Sequence, residues 1–290
     1  MHHLRRLLAA LALTVTGAFA VAGVALADMP RNWHMGMQPP AGPIQVGISN
    51  LNDMVEVIIT VITLLVAGLL GWVMYRYNAR RHPTPSQTSH NTVLEVAWTV
   101  LPVLILVVIA IPSFRLVYYQ ERTPNADMTI KVTGHQWYWE YTYPDHDNIN
   151  FSSRMVPDEQ SKLRLLEADE QLVVPAGKNI RVLTTGADVI HSFFVPSLGV
   201  QRYAIPGRTI ETWLRADRPG VFYGECNQIC GTNHPYMPIV VHAVPEAEFT
   251  TWLAQAKTKY ASNGGAQDGA APAPDASRLA DARIQPRIQH

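Results

Sequence analysis

Glu225-Cys-Asn-Gln-Ile-Cys-Gly-Thr-Asn-His-Pro-Tyr-Met237 places two thiols (Cys226, Cys230), one imidazole (His234) and one thioether (Met237) within twelve residues. These cysteines are the only two in the chain. Thiolate, imidazole and thioether form a soft donor set that selects copper or, less readily, zinc. One copper fits it poorly, because a mononuclear blue-copper site takes one Cys, two His and a weak axial Met. The second sulfur is surplus unless the two sulfurs bridge a pair of coppers. A second imidazole must then come from elsewhere, and His191 is the best candidate: it sits in an apolar strand-like run, where an unpaired polar ring is costly. Two other readings stay open, a disulfide in an oxidising compartment and a structural zinc site with two Cys and two His. Met237 favours copper, since zinc gains little from a thioether.

The flanks of that stretch set the fold. From 128 to 244 short runs rich in Val, Ile, Thr and aromatics alternate with Pro, Gly, Asn and Asp. Candidate strands are 128–133, 137–143, 163–167, 171–174, 179–185, 189–195, 209–216, 221–225 and 238–244. Many short strands separated by turn signals read as an all-β sandwich or barrel. A loop between two strands at one end of a sandwich can present Cys226, Cys230, His234 and Met237 together, with His191 arriving from a neighbouring strand. Trp137, Trp139, Tyr141 and Tyr143 alternate and are expected on one strand face, and for Trp139 to Tyr143 the ordinary reading is a core stripe. After Pro245, Phe249, Trp252, Leu253, Ala256 and Tyr260 recur at helical spacing behind an acidic first turn, which predicts a helix over 246–260 packed on the sandwich.

Further out, the chain leaves water. Nearly half of its 290 residues are hydrophobic and only 16% are charged, a low charged fraction for a soluble protein. Two uncharged apolar runs, 57–75 and 96–114, are each just long enough to cross a bilayer as a helix. Arg76, Arg80 and Arg81 in the short connection read as cytoplasmic. Arg5 and Arg6, an apolar run over 7–26 and the ending Ala25-Leu26-Ala27 read as a cleavable secretory signal with Asp28 as the first mature residue, or else as an uncleaved anchor. Both signals put the C-terminal domain outside. The lead-in over 29–47, with four prolines and three glycines, is expected to be poorly structured. The tail over 261–290 is rich in Ala, Gly, Pro and Asp and is expected to be disordered. No basic cluster with interleaved aromatics suggests a nucleic-acid partner.

Cys226 to Met237, with His191 upstream, resembles the CuA motif of subunit II of the haem-copper cytochrome c oxidases. The likeness runs from the first membrane segment to about Val244 and includes Gly134-His-Gln-Trp-Tyr-Trp139, Leu165-Leu-Glu167, Val195-Pro-Ser-Leu-Gly199, Ala204-Ile-Pro-Gly-Arg208 and Pro219-Gly-Val-Phe-Tyr-Gly-Glu-Cys226. It implies a bacterial inner-membrane protein with two spans, both termini and the copper domain periplasmic. Its parts would be a signal peptide (1–27), a periplasmic segment (28–50), a transmembrane hairpin (51–119), a cupredoxin-like Greek-key sandwich (120–245), a helix (246–260) and a tail (261–290).

By the same likeness, two copper ions are held by His191, Cys226, the Gln228 backbone carbonyl, Cys230, His234 and Met237. Electrons come from cytochrome c through Trp137 and pass to a haem in the catalytic subunit I, where oxygen is reduced with proton pumping; subunit III is a further expected partner. Glu95 falls at the mouth of a proton pathway, although a favourable first-turn acid explains it equally well. Between 140 and 170 eight acidic residues face three basic ones, a net of −5, and a one-signed patch steers an oppositely charged partner. Asp145, Asp147 and Asp169 look like the docking acids of relatives. The chain departs from the family at Gln228, usually Glu, where relatives place a magnesium carboxylate, so magnesium at the subunit interface is in doubt. It departs again at Gln201 and Tyr203, where many relatives carry Lys and Asp. The competing classes are a membrane-tethered copper chaperone, which usually has a thioredoxin-like body and one anchor, and a structural zinc domain. A quinol oxidase subunit of the same fold lacks the copper ligands present here.

Overall fold

Two long helices lead into the β domain. The computed structural model describes residues 28–84 and 86–261, so the signal-peptide and tail expectations lie outside the described residues, apart from Ala261. Helix α1 (Pro43–Arg76) opens on a proline at its first turn, where the missing N–H costs nothing, and α2 (Thr92–Glu121) opens on Asn91, whose side chain accepts from the Leu94 amide at 3.1 Å. Their apolar windows have a mean hydropathy of 2.6 and are unburied within the chain, as lipid-facing spans require. Both helices outrun the expected spans, because nothing in the flanking polar sequence breaks them.

The lead-in departs from expectation more sharply. Residues 43–47 belong to α1, and the segment is anchored at its two ends: before it, Asp28 pairs with Phe222, its amide donating to the Val221 carbonyl at 3.0 Å, and its carboxylate meets Arg218 at 2.5 Å. Further along, the Ala41 amide donates to Ser197 and the Ala41 carbonyl accepts from Asp217, both at 2.8 Å. Between these two anchors residues 29–40 form no helix or strand and are almost all exposed, with one turn closed by the His34 amide on the Arg31 carbonyl. Gly42 is required there, since a Cβ would lie 2.1 Å from the Arg215 carbonyl oxygen.

Ten strands follow: β1 (Met128–His135), β2 (Tyr138–Tyr143), β3 (Ile149–Ser153), β4 (Leu172–Pro175), β5 (Ile180–Gly186), β6 (His191–Val195), β7 (Val200–Ala204), β8 (Ile210–Leu214), β9 (Gly220–Cys226) and β10 (Pro238–Val244). They form two five-stranded sheets in the orders β3-β2-β1-β5-β8 and β4-β10-β9-β6-β7. The β1–β5 and β4–β10 pairs are parallel, as in a cupredoxin-like sandwich, and the rest are antiparallel. Burial alternates along β2 and β5, so one face of each meets the other sheet. Trp139, Tyr141 and Tyr143 are fully buried, and Trp139 meets Phe193 of the facing sheet edge-on at 5.6 Å. Helix α3 (Glu246–Ala261) closes one side, stacking Tyr260 on Phe151 at 4.6 Å.

Three sequence expectations fail here. Trp137, expected to open the strand 137–143, belongs instead to the β1–β2 turn. Residues 163–167 form a turn closed by the Leu166 amide on the Leu163 carbonyl, with Leu165 at φ 64°, so their apolar content does not make a strand. Strands β3 and β7 were not expected: Ile-Asn-Phe-Ser-Ser and Val-Gln-Arg-Tyr-Ala carry too many polar residues to stand out, and edge pairing with β2 and β6 forms them.

Candidate metal centre

The site lies where β6 begins and β9 ends. Strand β9 delivers Cys226 at its last position, the loop turns through Cys230 and a short 3-10 segment at His234–Tyr236, and Met237 stands at the threshold of β10. His191 is the first residue of β6, which pairs with β9 through Phe193 and Cys226. This close register needs Gly224, where a Cβ would lie 2.1 Å from the Phe194 carbonyl oxygen.

The donors converge. Cys226 Sγ lies 4.0 Å from His191 Nδ1, 3.9 Å from Cys230 Sγ and 3.4 Å from the Gln228 carbonyl oxygen. Cys230 Sγ lies 3.5 Å from His234 Nδ1 and 3.7 Å from Met237 Sδ. The two sulfurs thus form the middle of the set, with one imidazole beside each, the Gln228 oxygen at one end and the Met237 sulfur at the other. His191, both cysteines and Met237 are buried, while His234 is half-buried. Neither thiol is in a disulfide.

Their electrostatics ask for a cation. Burial disfavours a charged ring at His191, but the Cys226 sulfur and then Asp188 outweigh it and hold the imidazole above its usual range. Burial also opposes the Cys226 thiolate, yet hydrogen bonds from His191 and from the surrounding backbone bring that thiol below its usual value. Cys230 goes the other way, pushed up to about 12 by burial and by the neighbouring Cys226 charge. Two adjacent thiolates repel, and a soft cation between them removes that penalty.

Several supporting residues were not singled out by sequence reasoning. Asp188 accepts from His191 Nε2 at 2.8 Å and from the Gln136 and Val189 amides at 2.6 Å each, which leaves Nδ1 of His191 facing the sulfurs. Gly134 leaves room for the ring, since a Cβ there would lie 2.8 Å from His191 Cδ2. Trp139 Nε1 donates to the Met237 carbonyl at 3.1 Å and so fixes the end of the loop. The Asp-Val-Ile-His spacing was the one available signal for Asp188.

Trp137 lies against the cysteine loop. Its Nε1 donates to the Cys230 carbonyl at 3.3 Å, Gln136 Nε2 donates to the same oxygen at 2.8 Å, and Gly231, at φ +124°, leaves space that a Cβ would close to 2.9 Å from the indole. Glu95 lies on α2, 26 residues before its last residue, about 39 Å along the helix axis. One of its carboxylate oxygens accepts from the Asn91 amide at 3.1 Å, which is the bonding of an N-terminal cap.

The three acids singled out for docking are exposed but engaged: Asp145 accepts from the Thr129 amide at 2.7 Å, Asp147 pairs with Lys257 at 2.7 Å, and Asp169 accepts from the Arg154 amide at 2.6 Å and the Glu170 amide at 2.7 Å. Gln228 offers a neutral amide oxygen in place of a carboxylate, a weaker ligand for a hard cation such as magnesium.

Residues 128–244 match the family model described as cytochrome c oxidase subunit II, periplasmic domain, and residues 30–116 match that of the transmembrane domain. The chain is 47% identical over 255 residues to a probable cytochrome c oxidase subunit 2 of Rickettsia bellii, covering 87% of this chain and 94% of that one. It is 41% identical over 249 residues to cytochrome c oxidase subunit 2 of Cereibacter sphaeroides, covering 79% and 82%. Among solved structures, the periplasmic domain of subunit II of cytochrome oxidase from Bradyrhizobium japonicum is 49% identical, with a TM-score of 0.47 over 48% of this chain and 99% of that one.

Proposed function

Because this chain belongs to the cytochrome c oxidase subunit II family, as a component of an oxidoreductase complex, we propose that it accepts electrons from cytochrome c and hands them to a haem in the catalytic subunit. The observation that carries this reading is the donor set: two sulfurs 3.9 Å apart, with an imidazole beside each and a thioether and a carbonyl at the ends. That set fits two coppers better than one zinc, which takes four ligands and has no use for a thioether. When bound, a copper pair supplies a one-electron store whose charge is shared between two ions.

The residues prepare that store. His191, Cys226, the Gln228 carbonyl, Cys230, His234 and Met237 would hold it, on strands and a pinned loop that fix their positions beforehand. Asp188 holds the His191 ring, and burial keeps water from the sulfurs. Trp137, through the Cys230 carbonyl, offers a hydrogen-bonded route from a partly exposed indole to the site. Exposed acids around 140–170 would attract a basic donor, with Asp145, Asp147 and Asp169 as candidates. Their existing bonds make Asp147 the clearest test, since only a side-chain ion pair competes for it. The Gln228 side chain gives no reason to place magnesium at this position.

We further place the protein in the bacterial inner membrane with the sandwich on the periplasmic side, alongside subunit I and subunit III. Glu95 then lies at the cytoplasmic end of α2, where it would serve proton supply to subunit I. The test is metal content with electron paramagnetic resonance of the purified full-length chain. Two coppers per chain and one electron shared by two copper nuclei support the proposal; a single zinc, or a disulfide between Cys226 and Cys230 with no metal, overturns it.

A further inference from the structure

A second feature of the chain lies in its hairpin. Between α1 and α2, at their end nearest the sandwich, runs an open cavity of about 420 Å³. Leu51, Met54, Pro112 and Leu116 line it, and its walls are almost wholly apolar. The helices close tightly at one side, where a Cβ on Gly47 would lie 2.8 Å from Leu116 Cδ1. Arg115 also lines the cavity, together with Asn50 and Tyr119.

Arg115 is out of place for a packing residue. It directly follows the uncharged run 96–114, is exposed, and has no ion-pair or hydrogen-bond partner among the described residues. Tyr118 and Tyr119 mark the headgroup level, as aromatic residues do at membrane interfaces. Arg115 lies about one turn deeper, about 4.5 Å below Tyr118 and about 6 Å below Tyr119 by helical rise. A guanidinium at that depth reaches upward and takes a bidentate oxyanion partner, for which phosphate has the right shape. The rest of the lining is mostly apolar, and the helix surfaces on either side of it are those of the membrane-spanning windows.

We propose that this groove seats one anionic phospholipid from the leaflet facing the sandwich, its phosphate on Arg115 and an acyl chain along Leu51, Met54, Pro112 and Leu116. Asn50 and Tyr119 add polar contacts at the headgroup. Charge selects the lipid: a net-negative headgroup satisfies the guanidinium, whereas a zwitterionic one brings its own cation to the same place. The lipid in turn fills the gap between the helices beneath their junction with the sandwich.

The experiment uses the full-length chain in its assembled complex, placed in nanodiscs of phosphatidylglycerol and phosphatidylcholine at several ratios, with retained lipid counted by native mass spectrometry. One phosphatidylglycerol per chain should be retained in the wild type. Arg115→Gln should weaken that retention about fivefold, the factor that one basic residue contributes at an anionic membrane surface. Arg115→Lys should keep most of it. Leu51→Trp should evict the lipid while leaving Arg115 and the copper signal intact, so that loss of the lipid is separated from loss of fold. Free glycerol phosphate should not displace it. Equal retention in wild type and Arg115→Gln, equal retention of phosphatidylcholine, or displacement by glycerol phosphate each overturns the proposal.

Discussion

Asp188→Asn tests how far the protein holds the metal through residues that do not touch it. The carboxylate makes three hydrogen bonds: one oxygen takes His191 Nε2 at 2.8 Å and the Val189 amide at 2.6 Å, and the other takes the Gln136 amide at 2.6 Å. Asparagine offers one acceptor oxygen in place of two. With its oxygen facing His191 and Val189, its NH2 meets the Gln136 N–H donor to donor; turned over, it keeps Gln136 and loses the other two. The first orientation costs less and still holds the His191 tautomer. One charge-assisted hydrogen bond is lost, on the order of 1.5–3 kcal/mol, reduced here because Asp188 is partly exposed. Loss of such an outer partner lowers metal affinity about 10- to 100-fold.

Asp188→Asn should therefore weaken copper retention about tenfold, and Asp188→Ala, which releases the imidazole entirely, about a hundredfold. Competition with a graded series of chelators measures both, and circular dichroism confirms that the sandwich stands. The shared-electron resonance should persist in the asparagine variant with altered hyperfine splitting, because Nδ1 of His191 remains beside Cys226 while the ring loses its negative partner. Unchanged copper affinity in both variants would refute the reasoning, since it would mean that packing of the fully buried ring beside Gly134 and Trp139 suffices to orient it.

Four further outcomes are expected. Cys226→Ser or Cys230→Ser should abolish the shared-electron signal, because a serine oxygen bridges soft copper poorly; an intact spectrum in either one removes the bridging assignment. Asp147→Asn should lower the association rate with a basic cytochrome c and flatten its salt dependence, whereas Trp137→Phe should slow electron transfer in the docked complex with little change in affinity, as stopped-flow kinetics would show. Glu95→Gln should leave reduction of the copper site by cytochrome c unchanged and lower oxygen turnover; normal turnover leaves Glu95 as a helix cap alone. The Glu140 carboxyl is held below its usual range by the His135 ring 3.5 Å away, which with the Asn150 hydrogen bond outweighs partial burial; its stabilisation is present above the unfolded pKa and is lost as pH falls through the lower folded one, so Glu140→Gln should flatten the acid limb of the stability curve.

The ligand loop was legible because donor chemistry is a property of residue types: two Cys, a His and a Met within twelve positions restrict the metal before any geometry is known. The membrane helices were legible for a similar reason, since an uncharged run of bilayer length has few alternatives. Legibility failed where a residue's role depends on a distant partner. Trp137 fits the alternation of β2 by pattern, yet the β1–β2 hairpin turns there and the indole reaches a carbonyl 93 positions away. Asp188 is an ordinary turn residue until β6 sets His191 beside it. The proline-rich lead-in has the composition of a loose segment, and its anchoring at Asp28 and Ala41 depends on backbone groups of Val221, Ser197 and Asp217 that no local pattern announces.

That lead-in bears on how the copper end of the sandwich is held relative to the membrane. Each sheet has its own tether to the hairpin. The end of α2 joins the first sheet through β8, where Trp213 Nε1 donates to the Tyr119 carbonyl at 2.8 Å and Thr212 Oγ1 to that of Gln120 at 3.3 Å. The segment before α1 joins the second sheet through Asp28 beside β9, the strand that carries Cys226. One tether would leave a hinge, because a single helix-to-strand junction can rock; two tethers to opposite layers of one sandwich remove that freedom. Electron transfer falls steeply with distance, so the relay proposed above would need its donor set at constant height. Beside α1 itself the anchor is Ala41, held by Ser197 and Asp217, and the bonds that reach the strand behind the cysteines are those of the Asp28 backbone with Val221 and Tyr223.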